Sequence, residues 1–272
     1  MEPSQTRAQF ITLTTDFGLQ DAYVASLKGV IFSLAPEVRI IDISHAIPPQ
    51  GIVEGGFTLA CAFPHFPPGT IHILVVDPGV GSTRPLLLAR TENHYFLAPD
   101  NGALGLVFET EPPRELFRIT AARYFRPRVS ATFQGRDILA PVAAQLARGT
   151  AASCFGDPVT EFVPSPLPAP TRLSDGRLRL EVITADRFGN LVLNLREPKY
   201  RELTGGSATQ RFALEIGGRS LLRLLETYAQ GSEGEPFALF NSSGYLEVAV
   251  RGGSAAAALR CAAGSAATLT LS

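Results

Sequence analysis

The sequence predicts an α/β fold in the first half of the chain and a β-rich fold in the second half. In residues 10–98, short apolar runs rich in β-branched residues alternate with helical or turn-rich stretches. In residues 176–272, apolar residues recur at every second position between glycine-bounded turns. Because parallel strands need long crossover connections, alternating strands and helices favour a mostly parallel central sheet covered by helices.

Four strands are predicted in the first half, and an aspartate follows each of them. The strands are Phe10–Thr15, Val38–Ile41, Ile71–Val76 and Tyr95–Ala98. The aspartates are Asp16, Asp42, Asp77 and Asp100. Ligands of open parallel sheets bind outside the carboxyl ends of the strands, so we expect these carboxylates to converge there. The alternative is that each aspartate is a turn former or a helix N-cap.

Helical spacing connects these strands. A first crossover helix is predicted by apolar residues three or four positions apart, namely Val24, Leu27, Ile31 and Leu34. Asp21 is its predicted N-cap. Weaker helical patterns cover residues 52–63 and 104–108. A clearer helix is predicted over Asp137–Arg148, with Pro141 tolerated near its start.

A proline-rich stretch separates the two halves. Five prolines between Pro158 and Pro170 stiffen a segment that has no helical or alternating period. We therefore predict an N-terminal α/β domain over residues 8–156, a linker over 157–175 and a smaller β-rich domain over 176–272. In the last of these, the alanine-rich run 254–260 is long enough for two helical turns.

Composition excludes several classes of protein. With 45% hydrophobic and 18% charged residues, the chain has an ordinary globular balance. Twenty-four Lys and Arg against 25 Asp and Glu give a net charge of −1, so we expect no nucleic-acid partner. The N-terminus lacks the apolar segment of a signal peptide, and no later stretch is apolar enough for a membrane span. We expect no membrane association.

The cysteines and histidines form no metal or disulfide pattern. Cys61, Cys154 and Cys261 are odd in number and widely spaced, which favours a reducing cytoplasm. The four histidines lack metal-ligand spacing, so we expect core or surface roles for them and no metal site.

Two glycine-rich loops contain Asp16 and Asp77. Glycines let a ligand approach the backbone closely. The chain has neither GxxxxGK[ST] nor a GxGxxG after a strand, so the usual motifs for ATP and NAD are missing. An acid-rimmed pocket suits ribose hydroxyls, a cationic ligand or Mg²⁺. Arg84 follows Asp77 by seven residues, which is compatible with a loop that folds back to join the two charges; a solvated surface pair is the alternative.

Two clusters of polar and aromatic residues stand out in the second half. One is the segment Asp186–Asn190, and the other is Asn241–Glu247, which leads into the strand-like Val248–Val250. An aromatic ring combined with an amide and a carboxylate can bind a purine by stacking and by hydrogen bonds to its edge. For the first cluster, a plain hairpin turn is the alternative.

Seven segments occur in the order found in the S-adenosyl-L-methionine (SAM) hydroxide adenosyltransferases. They are TTDFG, ISHAIPP, FPPGTIHILVVDPGVGSTR, APDNG, TFQGRDILAPVAAQLARG, DRFGN and NSSGYLEVAV. The chain resembles this family nearly end to end, and the family is similar to the SAM-dependent fluorinase and chlorinase. The resemblance implies an α/β N-terminal domain, a smaller β-barrel C-terminal domain, and a homotrimer with active sites between subunits. It also implies attack of water or hydroxide on C5′ of SAM, which yields adenosine and L-methionine without a cofactor.

The same resemblance assigns roles to residues in matching motifs. Asp16 resembles the carboxylate that holds the ribose hydroxyls, and Asp77 lies at the reaction side of the binding site. The second half matches positions that contact the methionine portion or the adenosine, namely Asp186, Phe188, Asn190, Ser242, Glu247 and the backbone at Val250.

The family signature is an Asp-Arg-His set that positions and polarises the nucleophile. Asp77 and Arg84 match the first two members, and Gln134 stands where the family pattern TFHGRD has histidine. Glutamine can orient a water through its amide, but it cannot relay a proton near neutral pH as imidazole can. Asp77 is then the nearby proton acceptor, because Arg84 stays protonated. We predict a SAM hydrolase with Asp77, Arg84 and Gln134 as its catalytic residues.

Three alternatives stay open. With Gln134 in place of histidine, the chain could be a SAM- or adenosine-binding protein with impaired turnover. A halogenase using chloride or fluoride is disfavoured for two reasons. Residues 90–113 are too compact for the extra loop of fluorinase-like enzymes, and those enzymes lack the Asp-Arg pair that this chain keeps. The third alternative is a Mg²⁺-dependent phosphohydrolase that uses the acidic strand ends.

Overall fold

The chain divides after Pro166 into two units, Met1–Pro166 and Leu167–Ser272. The computed structural model describes residues 8–205 and 212–271. The expectation that the chain has no signal peptide concerns its first residues, of which 1–7 lie outside the described range.

Alternating strands and helices build the first unit. In chain order they are β1 (Phe10–Thr15), α1 (Tyr23–Leu34), β2 (Arg39–Ser44), α2 (Ile52–Ala62), β3 (Ile71–Val75), β4 (Leu86–Arg90), β5 (Tyr95–Pro99), α3 (Gly105–Thr110), β6 (Glu115–Ile119), α4 (Ala140–Ala147) and β7 (Gly156–Pro158).

The strands of the first unit form one mixed sheet in the order β2-β1-β3-β5-β4-β6-β7. The first four strands of that order run parallel, and β4, β6 and β7 extend the sheet with antiparallel pairs. Helices α1 and α4 pack together over the face that carries Ile11 and Ile73. Successive side chains alternate between faces, and Leu74 on the opposite face lies against Gly55 of α2. The predicted α/β fold with a mostly parallel central sheet is confirmed.

Two predicted element boundaries in the first unit are wrong. Strand β2 does not stop before Asp42 but continues through it to Ser44, because the pairing with β1 extends that far. Helix α1 begins at Tyr23 and has Ala22 at its N-cap position without a side-chain cap. Asp21 therefore lies one residue too early to cap the helix.

A wide helical turn precedes α4. Residues Gly135–Leu139 form a π-helical turn in which the N–H of Ala140 donates to the carbonyl of Gly135. Pro141 has no N–H to give to the carbonyl of Asp137, and Arg126 N–H donates to that carbonyl instead, at 3.0 Å. The predicted helix is thus present, and its proline is accommodated by a local change of helix geometry.

Short strands dominate the second unit. In chain order its elements are β8 (Thr171–Arg172), β9 (Leu178–Ala185), β10 (Leu191–Arg196), α5 (Glu197–Thr204), β11 (Phe212–Ile216), β12 (Arg219–Leu221), β13 (Leu224–Leu225), β14 (Pro236–Phe240), β15 (Tyr245–Val250), α6 (Ala255–Leu259) and β16 (Ala266–Leu271).

The strands of the second unit form a nearly closed, barrel-like sheet. Its order is β12-β11-β16-β9-β10-β15-β14-β13, β8 pairs with β9, and β12 at one end of the order also contacts β14 near the other end. The alternating residues predicted from Leu178 and Leu191 onward face its core. Ser254 caps α6 by accepting a hydrogen bond from Ala257 N–H at 3.1 Å. The alanine-rich run is thus helical, but the five residues of α6 are fewer than two full turns need. The predicted barrel-like fold of this unit is confirmed.

Two further expectations concern the described residues as a whole. Within residues 8–205 and 212–271, no helix combines the length and the apolar character needed to cross a membrane. His72 and His94 are buried among aromatic rings, and His65 is exposed, as expected for core and surface roles. Burial, together with the neighbouring His94, lowers the pKa of His72 to about 3.

Candidate active site

A cavity of about 340 Å³ lies beyond the carboxyl ends of β1 and β3 in the first unit. Asp16 follows β1 directly, and Asp77 lies two residues after the last residue of β3. The lining includes Asp16, Phe17, Tyr23, Asp77, Phe133 and Gln134. This is the edge of an open parallel sheet at which ligands bind.

Asp77, Arg84 and Gln134 form one hydrogen-bonded cluster at this cavity. Arg84 donates from Nε to Asp77 Oδ1 at 2.7 Å and from Nη2 to Asp77 Oδ2, so the ion pair is bidentate. Arg84 Nη2 also donates to Gln134 Oε1 at 2.6 Å. Only 10% of the Arg84 side chain and 7% of the Asp77 side chain are exposed. The predicted fold-back of the loop is confirmed, and the surface-pair alternative is wrong.

The cluster also fixes the orientation of the Gln134 amide. A guanidinium is a donor only, so the Gln134 atom facing it must be the carbonyl oxygen. The two N–H bonds of the Gln134 amide are then available for another acceptor. Each oxygen of Asp77 accepts one bond from Arg84 and has a second lone pair left. The cluster therefore offers both hydrogen-bond donors and acceptors, while the charges of Asp77 and Arg84 cancel.

Tight turns in residues 77–84 return Arg84 to Asp77. Val80 N–H donates to the Asp77 carbonyl at 3.3 Å, and Ser82 N–H donates to the Gly79 carbonyl at 3.1 Å. Gly81 has a φ of +84°, and a Cβ there would lie 2.9 Å from the Ala131 carbonyl oxygen. Only glycine satisfies both demands, which lets this loop lie directly against the segment that carries Gln134.

Three aromatic rings form one wall of the cavity. The ring centroids of Phe17, Tyr23 and Phe133 lie between 5.3 and 5.7 Å apart, in tilted or edge-to-face contact. Arg136 lies over the Phe133 ring at 4.8 Å and pairs with the fully buried Asp137 through Nε at 2.7 Å. This packing ties the wall to the start of the wide helical turn.

Two of the four aspartates predicted at strand ends do not reach the cavity. Asp42 pairs with Lys28 Nζ at 2.6 Å and with His45 Nε2 at 3.0 Å. Asp100 Oδ1 accepts a hydrogen bond from Val163 N–H at 2.8 Å. The expected convergence of all four carboxylates is therefore wrong, and only Asp16 and Asp77 line the cavity.

In the second unit, Asp186 organises the turn between β9 and β10. Its Oδ1 accepts from the backbone N–H groups of Phe188 at 2.9 Å and Asn190 at 2.8 Å, and its Oδ2 accepts from the Asn190 side-chain amide at 3.0 Å. The turn is tight because Gly189, at a φ of +83°, leaves no room for a Cβ beside Ser254. The hairpin interpretation is confirmed. Phe188 is nevertheless 78% exposed, which leaves a flat apolar surface open.

Glu247 is the buried carboxylate of the second unit. Its oxygens accept hydrogen bonds from the Tyr228 hydroxyl at 2.7 Å and from the Asn241 amide at 3.1 Å. Burial raises the pKa of Glu247, and the negative charge of Asp186 adds to that, although the two hydrogen bonds act in the opposite direction. Burial and the adjacent Glu247 also raise the pKa of the Tyr228 hydroxyl.

The two other residues predicted in this region have different surroundings. Ser242 is exposed in the turn between β14 and β15. Val250 ends β15 with its side chain in the core, and its backbone carbonyl accepts from Gly253 N–H at 3.2 Å.

Several residues at these two regions were not predicted from the sequence. Tyr23 and Gln50 line the first-unit cavity, and Tyr228 binds Glu247 from 19 positions earlier in the chain. Phe17 and Phe133 also line the cavity, and they lie inside the motifs TTDFG and TFQGRD. The alternation and motif patterns carry no signal for Tyr228, because its contact with Glu247 depends on the barrel bringing distant segments together.

The described residues contain no group of three or more His, Cys, Asp or Glu placed to hold a metal ion. The acids of the cavity are instead occupied by donors from the protein. Asp77 is taken by Arg84, and Asp16 Oδ2 accepts from Gln50 N–H at 2.8 Å.

The fold and the site together define a two-unit protein, α/β and then β-barrel-like, with a charge-compensated polar cluster at a cavity suited to a small polar ligand. Residues 11–156 match the N-terminal domain of the SAM hydroxide adenosyltransferases, and residues 180–268 match the C-terminal domain. The chain belongs to the SAM hydroxide adenosyltransferase family.

Named relatives cover most of the chain. It is 39% identical to the (R)-S-adenosyl-L-methionine hydrolase of Thermus thermophilus, over 90% of this chain and 93% of that one. It is 36% identical to the protein of the same name from Salinispora tropica, over 91% and 92% of the two chains. A fluorinase from an Actinoplanes species is 29% identical, over 88% and 90%. A solved structure of a conserved Thermotoga maritima protein superposes with a TM-score of 0.86 at 31% identity, over 96% and 99%.

Proposed function

We propose that this protein hydrolyses SAM to adenosine and L-methionine. The observation that carries the proposal is the Asp77–Arg84–Gln134 cluster at the cavity of the first unit. Membership of the family and the name shared by the Thermus and Salinispora relatives support it. That name specifies the R form, so we extend the proposal to SAM with the R configuration at sulfur.

In the proposed reaction, the oxygen of a water attacks C5′ of SAM as the bond between C5′ and the sulfonium sulfur breaks. Methionine leaves as a neutral thioether, and the water loses one proton. The Gln134 N–H groups orient the water oxygen, and a free lone pair of Asp77 takes the proton. Arg84 holds both residues in place. Placing the oxygen in line with C5′ in a site sheltered from solvent lowers much of the barrier.

The remaining predicted residues are proposed to bind the substrate. Asp16 accepts hydrogen bonds from the ribose hydroxyls, and the exposed ring of Phe188 stacks on adenine. The other second-unit residues proposed to contact the methionine portion or the adenosine are Asp186, Asn190, Ser242, Glu247 and the backbone at Val250.

We also propose the setting in which the enzyme works. The active form is a homotrimer with active sites between subunits, it acts in the cytoplasm, and it needs no cofactor or metal. Light scattering on the purified protein tests the first point, for which a mass of three chains is expected. Unchanged turnover in EDTA tests the last and would exclude a Mg²⁺-dependent phosphohydrolase.

The central test is incubation of the purified protein with each sulfur epimer of SAM, followed by chromatography of adenosine and methionine. We expect both products in equal amounts from the R epimer. No adenosine above a heat-inactivated control between pH 6 and 9 would refute the proposal. Added fluoride or chloride should not divert the product to a 5′-halogenated adenosine.

Because Gln134 stands where the family pattern has histidine, the alternative of binding without turnover needs its own test. The alternative of a SAM-binding protein with impaired turnover predicts calorimetric binding of SAM without product. In that case, the Gln134→His variant should gain turnover, because imidazole restores a group that can relay a proton.

A further inference from the structure

The segment between β2 and α2 supports the loop that carries Asp16 at three points. The Thr15 hydroxyl lies 2.8 Å from His45 Nδ1. Gly18 N–H donates to the His45 backbone carbonyl at 2.7 Å. Gln50 N–H donates to Asp16 Oδ2 at 2.8 Å. Two of these three bonds are made by one residue, His45, from its side chain and from its backbone.

The ring of His45 lies between Thr15 and an acid, Asp42. Thr15 Oγ1 accepts from Phe17 N–H at 3.2 Å and also shares a hydrogen bond with His45 Nδ1. The other ring nitrogen of His45, Nε2, lies 3.0 Å from Asp42 Oδ1. Lys28 holds the other oxygen of Asp42 at 2.6 Å. Although partial burial acts against it, hydrogen bonds from Lys28 and His45 hold the pKa of Asp42 below its ordinary value.

This Thr-His-Asp order resembles a hydrolytic triad, but the threonine cannot serve as a nucleophile. Thr15 is 1% exposed, and His45 is 7% exposed. Neither residue lines the cavity. The network therefore acts on the site only through the residues it holds, which are Asp16 and its neighbours.

The backbone conformation of Gln50 indicates that the segment between β2 and α2 is shaped to hold the Asp16 carboxylate. Its φ of +65° lies in the left-handed region, which a glutamine rarely adopts. In this conformation its N–H is directed at Asp16 Oδ2. An unfavourable backbone conformation of this kind persists only where the surroundings impose it, and such residues cluster at ligand sites.

We propose that His45 is a positioning residue for Asp16. Through Thr15 and through its own carbonyl, it fixes the loop that presents the Asp16 carboxylate to the adjacent hydroxyls of a ribonucleoside. The inference rests on the proposed function for the identity of the ligand. It adds a residue that touches no reacting atom and yet sets the preference of the site for a ribose with both hydroxyls.

The test compares calorimetric binding of adenosine and of 2′,3′-dideoxyadenosine. Wild type should prefer adenosine, since hydrogen bonds to a carboxylate separate the two ligands. In His45→Ala, this preference should fall by about tenfold or more, while binding of the dideoxy ligand changes by less than about twofold. Asp16→Asn should lose the same preference, and adding His45→Ala to it should cause no further loss, because the two residues act as a unit.

A matched control separates this effect from general destabilisation. His94 is also a buried histidine paired with an acid, Glu111, and it does not line the cavity. His94→Gln should keep the preference for adenosine. If His45→Ala does not fold, Thr15→Val removes the same link with little change of shape, and Thr15→Ser restores the hydroxyl; the first should lose the preference and the second should keep it.

The outcomes separate this inference from the proposed function. A His45→Ala or Thr15→Val protein that keeps the full preference overturns the positioning role, as does an equal loss of affinity for both ligands. If wild type releases adenosine from SAM while either result holds, only the positioning role falls. If wild type neither binds adenosine nor releases it from SAM, the proposed function falls and the positioning role falls with it.

Discussion

Two acids of the first unit and two of the second are held by different kinds of donor. Asp77 and Asp137 each receive a guanidinium group, from Arg84 and Arg136 respectively. Asp186 is held by backbone and amide N–H groups. Glu247 is held by a hydroxyl and an amide. The first pair is neutralised by its partners, whereas the second pair is held by neutral groups.

This difference indicates a division of labour within the proposed reaction. Neutralised acids form a rigid cluster that can orient a water without attracting cations. Carboxylates with neutral partners retain their negative charge and favour a ligand that brings positive charge or hydrogen-bond donors. SAM carries both a sulfonium and an ammonium group. We therefore expect changes in the Asp77–Arg84–Gln134 cluster to affect mainly turnover, and changes around Asp186, Phe188 and Glu247 to affect mainly binding.

The largest effect is expected from Arg84→Ala. Removing the guanidinium leaves Asp77 unpaired in a nearly buried site and frees Gln134, so kcat should fall by about 100-fold or more. Leaving a buried charge without its partner should also lower the free energy of unfolding by about 3 to 5 kcal/mol. Adenosine release and urea denaturation measure the two effects.

The matched control for Arg84→Ala is Arg90→Ala. Arg90 also pairs with an acid, Glu115, but 49% and 44% of the two side chains are exposed. This variant should keep kcat and lose less than about 1 kcal/mol. Equal behaviour of the two arginine variants would contradict a distinct role for the buried pair.

In the second unit, Phe188→Ala should weaken binding without weakening the fold. Stacking of a base on an aromatic ring contributes about 1 to 3 kcal/mol, so the Kd for adenosine should rise by about tenfold. The ring is exposed, and the melting temperature should stay unchanged. Leu222→Ala, which removes another exposed apolar side chain of the same unit, is the control. A fall in kcat with unchanged Kd would argue against the division of labour.

Gln134→His tests the turnover side of the comparison through pH. None of Asp77, Arg84 and Gln134 is an imidazole, so kcat of wild type should vary by less than about twofold between pH 6 and 9. The variant should acquire a step in its pH profile near the ordinary histidine pKa of about 6.5. A step at the same pH in the kcat profile of wild type would show that another group takes the proton.

The smallest expected effect is on how the free energy of unfolding depends on pH. Glu247 of the second unit and Asp137 of the first should contribute to this dependence with opposite signs. The raised pKa of Glu247 means that the folded protein holds this proton more tightly. Its contribution to stability is complete below the ordinary value of 4.5 and is lost as pH rises through the folded value. A difference of one between folded and unfolded pKa corresponds to about 1.4 kcal/mol.

Asp137 should show the reverse dependence. Burial acts against it, but hydrogen bonds from Arg136 and from Ser130 N–H keep its pKa below the ordinary value. Its contribution is present above 3.8 and is lost as pH falls. Urea denaturation of wild type, Glu247→Gln and Asp137→Asn between pH 3 and 8 should give stability differences from wild type that change in opposite directions. Parallel changes would contradict the assignment.

The order of strands and helices can be predicted well from the sequence, because hydrophobic periodicity indicates which residues face a core. The sequence places the strands before Asp16, Asp77 and Asp100, and it brings Arg84 to Asp77 across a short loop. Some of its errors are local, among them the N-cap at Asp21 and the end of β2, and others concern partners far away in the chain. Asp100 is taken by the backbone of Val163, 63 positions away, which no local pattern can indicate.

Site residues divide in the same way. Motifs place Asp77, Arg84 and Gln134 in one cluster, as the structure does, while their catalytic roles stay predictions. The linker boundaries at 157 and 175 also stay predictions. Tyr228 escapes sequence reasoning because only the folded barrel brings it to Glu247.

The wide turn at Gly135–Leu139 has a consequence for how this chain tolerates changes in length. Relative to a regular helix, a π-helical turn contains one extra residue, and each residue turns an α-helix by about 100°. Deleting one codon there would let the helix become regular and would rotate Gln134 by more than a quarter turn relative to α4, away from Arg84. A substitution in residues 135–139 changes a single side chain, whereas deleting one of these residues would separate the Gln134 amide from the Asp77–Arg84 ion pair.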